Sequence, residues 1–142
     1  MDFDWNTEQQ DFRSTVRAFL AANLPANWEE LAHGPGSEAQ TLFSKEFCGA
    51  LAKAGLLVPH WPARWGGRDA DPWIAFILAE EMWAAGEPRG GQYMNVNWIG
   101  TTLIKFGSEE QKQRYVPPMA KGTTLWCQGF SEPGAGSDLA SL

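Results

Sequence analysis

Residues 108–130 read SEEQKQRYVPPMAKGTTLWCQGF, and the character of the chain changes within them. Ser108 with Gln111 forms a capping box that opens a short helix, which the successive prolines Pro117 and Pro118 are expected to close. Beyond Gly122, the residues Thr124, Leu125, Trp126 and Cys127 are strand formers with no helix cap ahead of them, so Thr123 to Phe130 reads as a first β-strand. One strand cannot stand alone, because its unpaired edge would invite aggregation. The sequence therefore predicts a mainly α protein in two parts. Residues 1–121 form an N-terminal α-helical bundle domain, and 122–142 begin a β-domain that is cut off, its remaining strands lying beyond Leu142.

Upstream of this junction the helical signals are regular. Thr7 with Gln10 fits a capping box, with Phe12, Val16, Phe19 and Leu20 following at helical spacing until Pro25. After a loop at 32–36 (AHGPG), Ser37 with Gln40 repeats the pattern. Phe43, Phe47, Ala50 and Leu51 supply the apolar stripe, and Gly55 sits where a left-handed cap belongs. The stretch 56–72, LLVPHWPARWGGRDADP, cannot continue a helix and reads as an ordered loop, with Trp61 and Trp65 as candidates for an interface. Asp71 caps the next helix and Pro72 takes its first position, with Ile74, Ile77, Leu78 and Met82 facing inward as far as Gly86. A fourth long helix is expected from Gln92 to Phe106, stopped by Gly107.

Composition narrows the function. The chain has 142 residues, 44% hydrophobic and 13% aromatic, enough apolar surface for a folded core. Seventeen acidic against eleven basic residues give a net charge of −6, the wrong sign for a protein that grips nucleic acid phosphates. The opening MDFDWNTEQQ lacks the basic flank and apolar core of a signal peptide, and the apolar run Trp73 to Ala79 is too short to span a bilayer. A cytoplasmic protein without membrane insertion is expected. Cys48 and Cys127 lack metal or disulfide spacing and read as buried apolar residues, while His33 and His60 lie in separate loops with no ligand pattern; no metal site is expected. Adjacent carboxylates at Glu80 and Glu81 diverge on a helix and are poor candidates for a catalytic base.

The segment 131–138, SEPGAGSD, carries the densest functional signal. It combines backbone amides, two hydroxyls and little side-chain bulk, which suits it to lie against a flat or phosphorylated cofactor. A nucleophile elbow would need glycine two residues after Ser131, where Pro133 stands. The GAG within it lacks the remaining spacing of a dinucleotide fingerprint.

Three stretches in this order carry a resemblance: VPHWPARWGG at 58–67, IGTTLIKFGSEEQKQRYVPPMAKG at 99–122 and WCQGFSEPGAGSD at 126–138. Together they resemble the N-terminal part of the acyl-CoA dehydrogenase family, whose flavin-contacting loop is usually TEPGAGSD. Ser131 here replaces the threonine and preserves the hydroxyl, and Thr101 and Thr102 stand near where proline is common. The resemblance implies FAD as cofactor and α,β-dehydrogenation of an acyl-CoA thioester, as in lipid catabolism by β-oxidation. It places Gln128, Phe130, Ser131, Gly136 and Ser137 along the FAD, with Ser137 also facing substrate. It supplies no catalytic base in this chain, since the family's glutamate comes from a later helical domain, beyond Leu142. It also implies an electron-transfer flavoprotein or similar acceptor and a homo- or hetero-oligomer, usually a tetramer. An acyl-CoA oxidase-like flavoprotein and a non-catalytic subunit of a dehydrogenase assembly are the alternatives. Met94, Val96 and Trp98 are candidates for lining the acyl pocket, with Gly100 leaving it width.

Overall fold

Asn6 opens the first helix of the computed structural model, which describes residues 4–33, 36–129, 131–138 and 140. Its side chain accepts from the Gln9 amide at 2.9 Å, and the Gln9 side chain accepts from the Asn6 amide at 3.0 Å. The capping box thus lies one residue before the expected Thr7 and Gln10 pair, because asparagine is the better cap. Helix α1 (Thr7–Asn23) buries Phe12, Val16 and Leu20 and ends at Leu24, since the residue before Pro25 is pushed out of the helical region.

Helix α2 (Trp28–His33) lies outside the sequence reading. Six residues are too few to display a period, and what holds the helix is tertiary: Trp28 is buried and its indole N–H donates to the Ala85 carbonyl at 2.6 Å. Helix α3 (Glu38–Lys53) starts at the Ser37 cap and ends before Gly55 at φ +69°, as expected. Helix α4 (Pro72–Ala84) follows the Asp71 cap and buries Ile74, Ile77, Leu78 and Met82.

Helix α5 (Gln92–Met94), a π segment at Asn95–Ile99 and helix α6 (Gly100–Phe106) run end to end, filling the span expected for one helix. Helix α7 (Glu109–Ala120) starts with the Ser108 and Gln111 capping box but is not closed by its prolines; it passes through Pro117 and Pro118 to Ala120. Proline removes a donor but keeps its acceptor. The Pro117 carbonyl takes the Lys121 amide at 3.2 Å, and Pro118 takes Thr123 at 3.1 Å. Burial of Val116, Met119 and Ala120 holds this last turn against the core. No described helix is long and apolar enough to cross a membrane.

Trp61 and Trp65 are not interface residues in this fold but core, 1% and 8% exposed. The loop between α3 and α4 bonds to itself, Asp69 N to Trp61 O at 3.0 Å and Ala70 N to Pro59 O at 3.1 Å, which turns both rings inward.

Helices α1 and α4 are joined by ions as well as by their apolar faces. Arg13 reaches both Glu80 and Glu81, and Arg17 meets Glu81 at 2.8 and 3.0 Å. The Arg17 hydrogen bonds, reinforced by Arg13, hold the Glu81 carboxyl below the usual carboxylate range although burial works the other way. Such a group stabilises the fold at pH above its unfolded value, and the contribution vanishes as pH falls through the folded value. Glu81→Gln is therefore expected to cost about 2 kcal/mol near neutrality, less than a fully buried pair because Arg17 is 63% exposed. In urea titrations the deficit relative to wild type should shrink as pH drops below 4.5, the ordinary value of this carboxyl. Parallel stability profiles down to strong acid would contradict this role. The same ion pairs occupy both carboxylates, in keeping with their reading as poor bases.

The expected strand at Thr123 to Phe130 is absent as a ladder: residues 123–129 pair with no strand among the described residues, and the isolated bridge there joins Glu132 to Ala135. Strand propensity is realised only with a neighbour to accept the pairing.

Candidate functional site

A side chain substitutes for the missing neighbour. Asn95 is fully buried; its Oδ1 accepts from the Trp126 amide at 2.8 Å and its Nδ2 donates to the Thr124 carbonyl at 2.7 Å. Those two backbone groups flank Leu125 and point the same way in extended chain, so the carboxamide pairs with them as one residue of an adjacent strand would. Gln92 completes the clamp: it takes a bond from Asn95 and gives one to the Gly122 carbonyl at 3.3 Å. The π segment begins at Asn95, and the Trp126 ring closes edge-on against Tyr115 at 5.1 Å. Residues 122–126 are thus fixed by the helices that precede them.

Beyond this anchor the chain makes a tight turn. Glu132 N donates to Ala135 O at 2.7 Å and Ala135 N to Glu132 O at 3.2 Å, with Pro133 and Gly134 at the corner. Ala135 is buried, whereas Gln128, Ser131, Gly136 and Ser137 are exposed. A Cβ placed on Gly136 would lie 3.3 Å from Ser131 Oγ, so these two stand together across the turn, while Gly129 and Gly134 face open space. Four of the five expected cofactor residues are thus individually exposed, and Phe130 lies outside the described residues. Asn95 and Gln92, which hold residues 122–126, escaped the sequence reading. Their one signal is amide side chains within an apolar helix.

The expected acyl-pocket residues do not share one surface. Val96 is wholly buried in the core, whereas Trp98 is 44% exposed and meets Tyr93 edge-on at 5.8 Å. A Cβ on Gly100 would come within 2.3 Å of the Trp61 ring, so a larger residue there disturbs core packing instead of narrowing a pocket. Of the cysteines, Cys48 is buried and its thiol is pushed up to about 12 by burial. Cys127 is exposed, contrary to expectation, because the segment carrying it pairs with no strand among the described residues. His33 bonds the Glu29 carbonyl at 2.9 Å, and burial lowers the pKa of His60, with Arg89 adding to the effect. No His, Cys, Asp and Glu cluster that could hold a metal occurs among the described residues.

The family model described as acyl-CoA dehydrogenase, N-terminal domain, matches residues 6–123, which takes in helices α1 to α7 and Asn95. The chain belongs to the acyl-CoA dehydrogenase family. The acyl-CoA dehydrogenase IpdE1 of Mycobacterium tuberculosis is 39% identical over 136 residues, covering 94% of this chain and 35% of that protein. Among solved structures, the ChsE4-ChsE5 complex from Mycobacterium tuberculosis superposes with a TM-score of 0.82 at 27% identity, covering 100% of this chain and 35% of its own. The steroid acyl-CoA dehydrogenase Tcur3481-Tcur3483 gives 0.81 at 35% identity, covering 100% and 36%. The chain therefore spans about a third of the length of these family members, and its helical fold is that of their N-terminal domain.

Proposed function

We propose that this chain supplies the N-terminal helical domain, residues 1–121, and the flavin-facing start of the middle domain, residues 122–142, of an FAD-dependent acyl-CoA dehydrogenase. The observation that carries this reading is the tight turn at 131–137, which leaves Ser131, Gly136 and Ser137 exposed. Exposed hydroxyls beside a turn whose own backbone bonds are closed fit the polar edge of a flat ring. Backbone groups around Gln128 and Phe130 and the Ser131 hydroxyl address that edge, Gly136 keeps the approach open, and Ser137 faces the junction of cofactor phosphates and acyl-CoA. Held by these residues, FAD would supply a hydride acceptor for the β-carbon of the thioester. Hydrogen bonds from this segment favour charge accumulating on that side, by the electrostatics of an oxyanion site. The resemblance to the family assigns the α-proton to a glutamate of a later helical domain, and Glu80 and Glu81 are engaged with Arg13 and Arg17.

The acyl group in this reading is ring-bearing, supported by the likeness to a steroid acyl-CoA dehydrogenase, and the protein works as an oligomer, supported by the two-component assemblies among its structural neighbours. Electrons pass onward to an electron-transfer flavoprotein or a similar acceptor. The test is anaerobic mixing of the full-length, flavin-loaded protein with a panel of acyl-CoAs. Bleaching of the flavin band, fastest with ring-bearing thioesters, is expected. A flavin that stays oxidised with every thioester would reject the reaction, and reoxidation by molecular oxygen as fast as by the flavoprotein acceptor would move the protein to the oxidase-like alternative.

A further inference from the structure

At the C-terminal ends of α3 and α7, and roofed by the α3–α4 loop, lies a recess of about 620 Å³ with Lys53, Arg64 and Lys121 around it. None of its lining residues is acidic, in a chain whose net charge is −6. Lys53 and Lys121 complement the helix ends from which they project, and on their own they need no ligand. Two further observations exceed that explanation. Arg64 comes from a third element and packs its guanidinium 5.4 Å over the Trp65 ring, which holds it at the rim. Trp65 itself is 8% exposed, forms a wall of the recess, and its indole N–H is buried with no hydrogen-bond partner among the described residues. A buried donor left unmet costs about 1–3 kcal/mol, which an acceptor in the recess would recover once the Trp65 ring shifts to bring its N–H to the surface. Glu109 is held first by Lys112 at 2.9 Å and feels Arg64 only weakly.

We propose that this recess binds the phosphate group of a small phosphorylated ligand, with Lys53, Arg64 and Lys121 meeting its charge and the Trp65 indole N–H as neutral donor. A multiply charged anion is the class that rewards three cations from separate elements, since each charge-assisted bond is stronger than a neutral one. The recess is separate from the segment 128–137, so the inference does not rest on the flavin reading.

The probe is inorganic pyrophosphate, titrated calorimetrically into the full-length protein at constant ionic strength. Saturable binding is expected, weakened about tenfold or more in the double variant K53Q/K121Q and less in Trp65→Phe, which keeps the wall but removes the donor. Lys45→Gln, a cation outside the recess, should leave the affinity unchanged. Coenzyme A and a free phosphorylated metabolite present the same group. Displacement of pyrophosphate by coenzyme A identifies the first source and its failure identifies the second, and either outcome upholds the site. No saturable heat, equal affinity in K53Q/K121Q, or an equal loss in Lys45→Gln would overturn it.

Discussion

Trp61→Ala is expected to lower the free energy of unfolding by about 3–5 kcal/mol, enough to leave little folded protein if the starting stability is ordinary. The ring is 1% exposed and stands where a side chain at Gly100 would collide with it at 2.3 Å, so glycine and tryptophan are fitted to each other. Truncation leaves a cavity between the α3–α4 loop and the π segment, and it also orphans the Val96 carbonyl that the indole N–H meets at 3.2 Å. Trp61→Phe separates the two effects: most of the volume remains and the hydrogen bond goes, for an expected loss of about 1–2 kcal/mol. Urea unfolding of both variants checks this. A loss below about 1 kcal/mol for the alanine variant would mean that the loop is not part of the core.

Asn95→Leu keeps the volume of the side chain and removes its pairing with the segment that leads to the turn. The Trp126 amide and the Thr124 carbonyl both lose their partner, at an expected cost of about 2–4 kcal/mol. The effect should also be directional. Hydrogen exchange at the Trp126 amide should rise well before that of the amides in α1 and α4, because the anchor opens without unfolding the helices. If 128–137 holds flavin, the same variant should bind FAD at least about tenfold more weakly while its helices remain folded. Unchanged exchange at Trp126 together with unchanged flavin affinity would show that the carboxamide positions nothing.

The parts of the fold written locally were legible. Helices α3, α4 and α7 announce themselves through Ser37, Asp71 and Ser108, whose side chains accept from backbone amides two or three residues on. Their buried faces follow the apolar period. What depends on distant contacts was not legible. Helix α2 exists because Trp28 finds Ala85, and the two prolines of α7 are tolerated because Val116 and Met119 are buried. The inward turn of Trp61 depends on loop bonds such as Asp69 to Trp61, which no periodic pattern encodes. Strand-forming residues at 124–127 pair with no strand among the described residues, since a side chain from the π segment takes the place of a second strand. The candidate cofactor residues were found by motif, whereas their support at Gln92 and Asn95 could be found only in three dimensions.

The most direct test of the flavin reading is the visible absorption spectrum of the full-length protein, purified and then incubated with excess FAD and desalted. Stoichiometric flavin with its two oxidised bands is expected, with affinity reduced about tenfold in Ser131→Ala and restored in Ser131→Thr. A folded, helical protein that stays colourless after reconstitution, or one whose flavin affinity is indifferent to Ser131, would contradict the assignment of this turn to the cofactor.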